Sequence, residues 1–169
     1  SSRAAAAVLR EHGATAATDV TGFGLLGHLV EMVRASDVDA TVVLPRVPLL
    51  DGLREVLAQQ IFSSLQPQNV RLRWAIRNLD EVSEHPLYPV LFDPQTAGGL
   101  LASVPAARAE ACLSALIVAG YPGAVIIGSV RPRSNAPEPV TIDLSESDSA
   151  AHSPASPPEP LRHAHESVL

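Results

Sequence analysis

The chain has 169 residues, 46% of them hydrophobic and only 4% aromatic, with a formal net charge of −6. That length supports one domain with a core of its own, assembled from Ala, Val, Leu and Ile. The acidic balance excludes the basic stripe that a nucleic-acid partner needs, and all twelve cations are Arg, so no Lys can grip a phosphate or act as a nucleophile.

In chain order, the alanine-rich run 4–10 predicts a helix, with Gly13 in the left-handed position that ends helices. Residues 14–18 predict a short strand that delivers Asp19 at its end. Residues 25–34 predict a second helix, with Leu25, Leu29 and Met32 at helical spacing and Leu26, Val30 and Val33 alongside. Val38, Ala40, Val42 and Leu44 alternate through a strand. Pro48 is expected to open a helix striped by Leu49, Leu50, Leu53, Val56 and Leu57. Past Gln59 the pattern weakens, and 70–76 predicts a strand with Val70, Leu72, Trp74 and Ile76 on one face. Short strands at 90–92 and 100–104 flank a turn, a helix over 106–119 stops at Gly120, and strands are expected at 125–130 and, as an edge, at 140–144.

Helices alternating with strands make residues 1–144 an α/β (α+β) domain in packed layers. Residues 145–169 are rich in Ser, Pro, Ala and Glu, which predicts a disordered tail that folding can dispense with. His152, His163 and His165 fall in that tail, where His-Ala-His reads as incidental rather than as a metal site. The single cysteine, Cys112, shares a predicted helix face with Ala109 and Leu116 and reads as a core thiol. With no signal-like segment and no long apolar run, a cytoplasmic protein without a membrane partner is expected.

Two segments join a carboxylate to glycines: Thr18-Asp-Val-Thr-Gly-Phe-Gly-Leu-Leu-Gly-His28 and Leu91-Phe-Asp-Pro-Gln-Thr-Ala-Gly-Gly-Leu-Leu101. Asp19 sits at a predicted strand end, before Thr21, Gly22 and Gly24 and a helix start. A helix start suits phosphate, and a carboxylate beside it suits magnesium. The alternative is an Asp that caps the helix or shapes the turn. Gly22, Gly24 and Gly27 satisfy Gly-x-Gly-x-x-Gly, yet no Walker Lys follows, and Asp39, near the distance of a ribose-binding acid, falls inside a strand. His28 fits acid–base work or, better, a capping or interface role. Asp93, Gly98 and Gly99 read as a structural turn, with Asp93 bonding backbone N–H groups.

These two segments resemble the C-terminal domain of the selenophosphate synthetases (selenide, water dikinases), within the larger family that includes aminoimidazole ribonucleotide synthetase. The resemblance extends to Ala-Ala-Val-Leu-Arg-Glu-His-Gly ahead of the first segment, to Pro48-Leu-Leu-Asp-Gly and Asn69, and to Val125-Ile-Ile-Gly-Ser-Val130. It implies that family's C-terminal fold, a mixed sheet packed with helices. It also implies a reaction in which selenide, ATP and water give selenophosphate, AMP and phosphate, with Mg2+ and ATP required. Asp19 would then share the nucleotide's magnesium with acids of an N-terminal ATP-binding domain. That domain carries the Cys or selenocysteine, the Lys and the principal acids, and nothing here matches it. The chain therefore resembles half of a homodimeric enzyme, inactive alone and holding no catalytic residue. In such an enzyme Asp93, Gly98 and Gly99 lie where the two domains pack. In many members a glycine-rich stretch precedes the Asn69 position; here residues 63–68 contain no glycine, which removes support for a ligand role. The alternative is a non-catalytic fragment that binds or supports a dimer.

Overall fold

A computed structural model describes residues 2–145 and the backbone of Glu166–Val168. Helix α1 (Arg3–Glu11) turns through Gly13, at φ +80°, into β1 (Ala16–Asp19). Helix α2 (Gly24–Ser36) leads into β2 (Val38–Val43), and a 3-10 turn, Leu44–Arg46, follows. Short helices α3 (Leu53–Ala58), α4 (Gln66–Asn69) and α5 (Leu79–Val82) are interspersed with 3-10 turns at Val70–Ala75 and Tyr88–Phe92. Then come β3 (Leu100–Pro105), α6 (Ala106–Val118), β4 (Gly128–Pro132), β5 (Val140–Asp143) and β6 (Glu166–Val168).

The strands form one sheet in the order β1-β3-β6-β4-β2-β5. All neighbours are antiparallel except β2 and β5. Successive side chains of a strand point to opposite faces, and β3 uses both. Leu101 joins a cluster with Leu26, Leu29 and Val33 of α2, Phe92 and Ile142. Ala102 and Val104 join Ala5 and Leu9 of α1 with Ala109, Cys112 and Leu116 of α6. This is the layered α/β arrangement expected from sequence, and Cys112 is the buried core thiol expected of it.

Several expected elements differ. The helix after Pro48 begins only at Leu53, because Gly52 takes φ +81° and interrupts any earlier turn. Its expected stripe is split: Leu49, Leu53 and Leu57 lean on the core, whereas Leu50 is 78% exposed. Residues 70–75 coil as a 3-10 helix rather than a strand, with Trp74 exposed. Alternation alone does not supply a partner strand, and pairing is what decides. Only Ile76 bridges to Val140. Residues 88–92 also coil, since Pro89 fixes φ and removes a ladder donor at the start of the turn. β4 starts at Gly128 rather than Val125; a β-carbon on Gly128 would collide with the Thr41 carbonyl, so glycine lets the two strands close up.

The expected tail differs at its end. Residues 146–165, with His152, His163 and His165, lie outside the described residues, but Glu166–Val168 pairs with β3 on one side and β4 on the other. Strand pairing draws on main-chain groups that every residue but proline offers in full, and Glu166–Val168 contains no proline, so the composition that argued against a core did not bear on it.

Candidate functional site

Antiparallel pairing of β1 with β3 sets Asp19 opposite Leu100, which brings the two glycine segments side by side. They are knitted through backbone: Val20 N–H donates to Gly99 O at 2.9 Å, and Gln95 N–H donates to Thr21 O at 3.1 Å. Thr21 O also accepts from Gly24 N–H at 3.0 Å. Gly24 has φ +70°, and a β-carbon there would lie 2.8 Å from the Phe92 carbonyl carbon and 3.1 Å from Asp93 O. A β-carbon on Gly98 would collide with Val20 O. Those two glycines serve close packing. Gly22 and Gly99 face nothing within 4 Å, so among Thr21, Gly22 and Gly24 the open glycine is Gly22, while Gly24 is buried beneath the second segment.

Two buried polar side chains hold this corner. Asn69 Nδ2 donates to Gly22 O at 2.8 Å and to Phe92 O at 3.0 Å, one carbonyl from each segment. Sequence offered only a loose correspondence for Asn69, in a stretch with no periodicity. His28 lies on α2, and its Nε2 accepts from Thr21 N–H at 3.0 Å, with Thr21 Oγ1 at 3.2 Å. This is not a helix cap, since Thr21 precedes the N-cap residue Phe23; the ring instead ties the turn ahead of α2 to the helix. Asp93 differs from expectation, for its Oδ2 accepts from the Gln95 side chain at 2.5 Å rather than from backbone N–H groups. Burial pushes the Asp93 carboxyl up, and the Gln95 bond partly offsets that.

Asp19 is exposed at the end of an edge strand and lines an open concavity of about 630 Å³, together with Thr18, Leu100 and Leu9 and Arg10 of α1. It does not cap α2: the N-cap residue is Phe23, with no side-chain cap bond. Among the described residues no hydrogen bond or ion pair engages the Asp19 carboxylate. Nor do three His, Cys, Asp or Glu side chains among them gather as a cation cluster. Magnesium takes six oxygens in near-octahedral array, so the described residues do not hold it unaided; they offer one free carboxylate, three residues before an open glycine. Asp39 is excluded as a ribose ligand, since Arg77, Arg133 and Ser134 engage both its oxygens. Burial pushes the Cys112 thiol up, the opposite of what a nucleophile needs.

Residues 2–136 match the model of the family described as AIR synthase related protein, C-terminal domain. A selenide, water dikinase of Clostridioides difficile (strain 630) is 37% identical over 118 residues, 69% of this chain and 33% of the relative. One from Shewanella sp. (strain W3-18-1) is 41% identical over 125 residues, 74% of this chain and 34% of the relative. Selenide, water dikinase 2 of Peptoclostridium acidaminophilum is 34% identical over 126 residues, 75% and 36% respectively. The chain thus spans about a third of the length of these curated relatives. With its two glycine segments knitted at one corner of a layered α/β sheet, it belongs to the family of AIR synthase-related C-terminal domains.

Proposed function

We propose that this chain works as the C-terminal domain of a selenide, water dikinase. In that role Asp19 supplies one carboxylate to a magnesium–nucleotide site held mainly by an N-terminal ATP-binding domain. The observation that carries this reading is the state of Asp19: an exposed carboxylate at a strand end, neither capping a helix nor bonded to a described residue, three residues before the unobstructed Gly22. Phosphoryl transfer rests on positioning and on neutralising charge, so a domain that adds a single metal ligand contributes without holding a nucleophile. The reaction assigned is formation of selenophosphate, AMP and phosphate from selenide, ATP and water, by a cytoplasmic homodimer. The chain by itself is expected to be inactive.

The decisive test joins the chain to a matching N-terminal domain and compares wild type with Asp19→Asn. The substitution keeps size but removes a charge from the metal site. Turnover is expected to fall by an order of magnitude or more at limiting magnesium with little change in Tm, in line with the loss of one ligand charge. A wild-type rate would sink the assignment. Selenide-dependent AMP formation by the isolated chain would equally refute the claim that it is half of the machinery.

A further inference from the structure

His28 holds the one buried side-chain nitrogen, among the described residues, that lacks a hydrogen-bond partner. The ring is 7% exposed, with Phe23 packed 5.5 Å away, centroid to centroid. Its Nε2 faces the Thr21 N–H, and an amide N–H can only donate, so Nε2 must present its lone pair. A neutral imidazole with a free Nε2 carries its proton on Nδ1. That N–H is the orphan. A buried donor without an acceptor is costly, and a carboxylate, Glu31 Oε2, lies 3.9 Å away and one helical turn on. Glu31 is largely exposed, and a rotamer change that moves its carboxylate by about 1 Å would complete an ordinary bond.

We infer that His28 is a positioning residue: in its Nδ1–H tautomer the bare Nε2 anchors the Thr21 amide, hence the turn that presents Asp19, with the Glu31 carboxylate close enough to swing onto the Nδ1–H. Thr21 is the hub of the corner. Its N–H goes to His28, and its carbonyl accepts from both Gly24 and Gln95. Fixing that one residue, on whose two flanking peptides these bonds fall, therefore helps to fix the first glycine segment against the second. The His28–Thr21 link stands on hydrogen-bond geometry and the Glu31 link on proximity alone; their bearing on chemistry rests on the reading of Asp19 given above.

The 169-residue chain itself provides the test. Long-range 1H–15N correlation spectra of the His28 ring should show Nδ1 protonated and Nε2 bare. His28→Phe keeps a ring in the buried site but removes the acceptor, and Thr21 amide exchange should quicken about tenfold, the loss of one net hydrogen bond. His28→Gln restores an acceptor near the Nε2 position and should recover most of the protection, which a space-filling role would not require. A proton on Nε2 overturns the inference, as does a folded His28→Phe chain whose Thr21 exchanges at the wild-type rate. Should the Phe variant fail to fold, the wild-type spectrum and the Gln variant still decide. In the joined enzyme, His28→Phe should lower turnover with Gln rescuing it, and unchanged turnover there overturns the positioning role. Unchanged turnover in Asp19→Asn would remove the metal reading instead, leaving the Thr21 measurements to stand or fall separately.

Discussion

Gly24 and Gly98 lack side chains where the opposing segment fills the space, while Gly22 and Gly99 face open surroundings. Alanine at Gly24 or Gly98 must push backbone aside, and Gly24 would also carry strain at φ +70°, so each should lose roughly 1–3 kcal/mol. Alanine at Gly22 should change stability by under about 1 kcal/mol. Urea midpoints of the three variants check this ordering, and equal losses would contradict it. Asn69→Ala strips partners from two carbonyls at once and should cost about 2–3 kcal/mol. At this scale the sequence was half legible. Clustered glycines next to Asp19 and Asp93 marked the corner, but nothing in the wording separates a glycine that admits a backbone from one that leaves room. Asn69 was harder still, because its role depends on carbonyls 47 and 23 residues away.

Strand β2 carries a buried carboxylate, Asp39, that ties it to the segment after β4 and to the end of the 3-10 turn before α5. Burial alone would raise this carboxyl; hydrogen bonds from Ser134, Arg77 and Arg133 outweigh it and hold the group at about 2, against an ordinary 3.8. A carboxyl depressed in the fold stabilises at every pH above its unfolded value of about 3.9, and that contribution drains away as pH falls through about 2. The gap amounts to about 2 kcal/mol. Asp39→Asn should therefore be less stable than wild type at pH 7, with the difference shrinking steadily from pH 5 towards pH 2. Parallel chemical-denaturation curves would show it, and a pH-independent difference would count against the ion network. Elements whose signal is their own periodicity, such as α2, β2 and α6, could be read directly. Those set by a neighbour could not: the apolar alternation of 70–76 meets no partner strand until Ile76.

Across the whole molecule, the sheet consists of β1 with β3 and of β4 with β2 and β5, and β6 is the strand that joins the two parts. Its register runs Ser103 and Gly128 opposite Val168, then Val104 and Ser129 opposite Ser167. A chain ending at Ser145 should keep the described members of both hydrophobic clusters yet lose the ladder on two sides. Its Tm should drop by several degrees, at roughly 2–4 °C for each kcal/mol lost. An unchanged Tm would return residues 166–168 to the status of a dispensable tail. Sequence reading missed this strand because it weighed side chains for burial, whereas what joins it to the slot between β3 and β4 is main-chain pairing.

A slot of that kind does not distinguish its own strand from an identical one on another molecule. Removing Glu166–Val168 would uncover two facing edges, each a template for an extended segment. The shortened chain should therefore be prone to self-association, with sedimentation showing larger species that grow with protein concentration. With the strand present, the same geometry allows reciprocal exchange between copies, so concentrated or partly unfolded samples should accumulate swapped dimers that dissociate slowly on dilution.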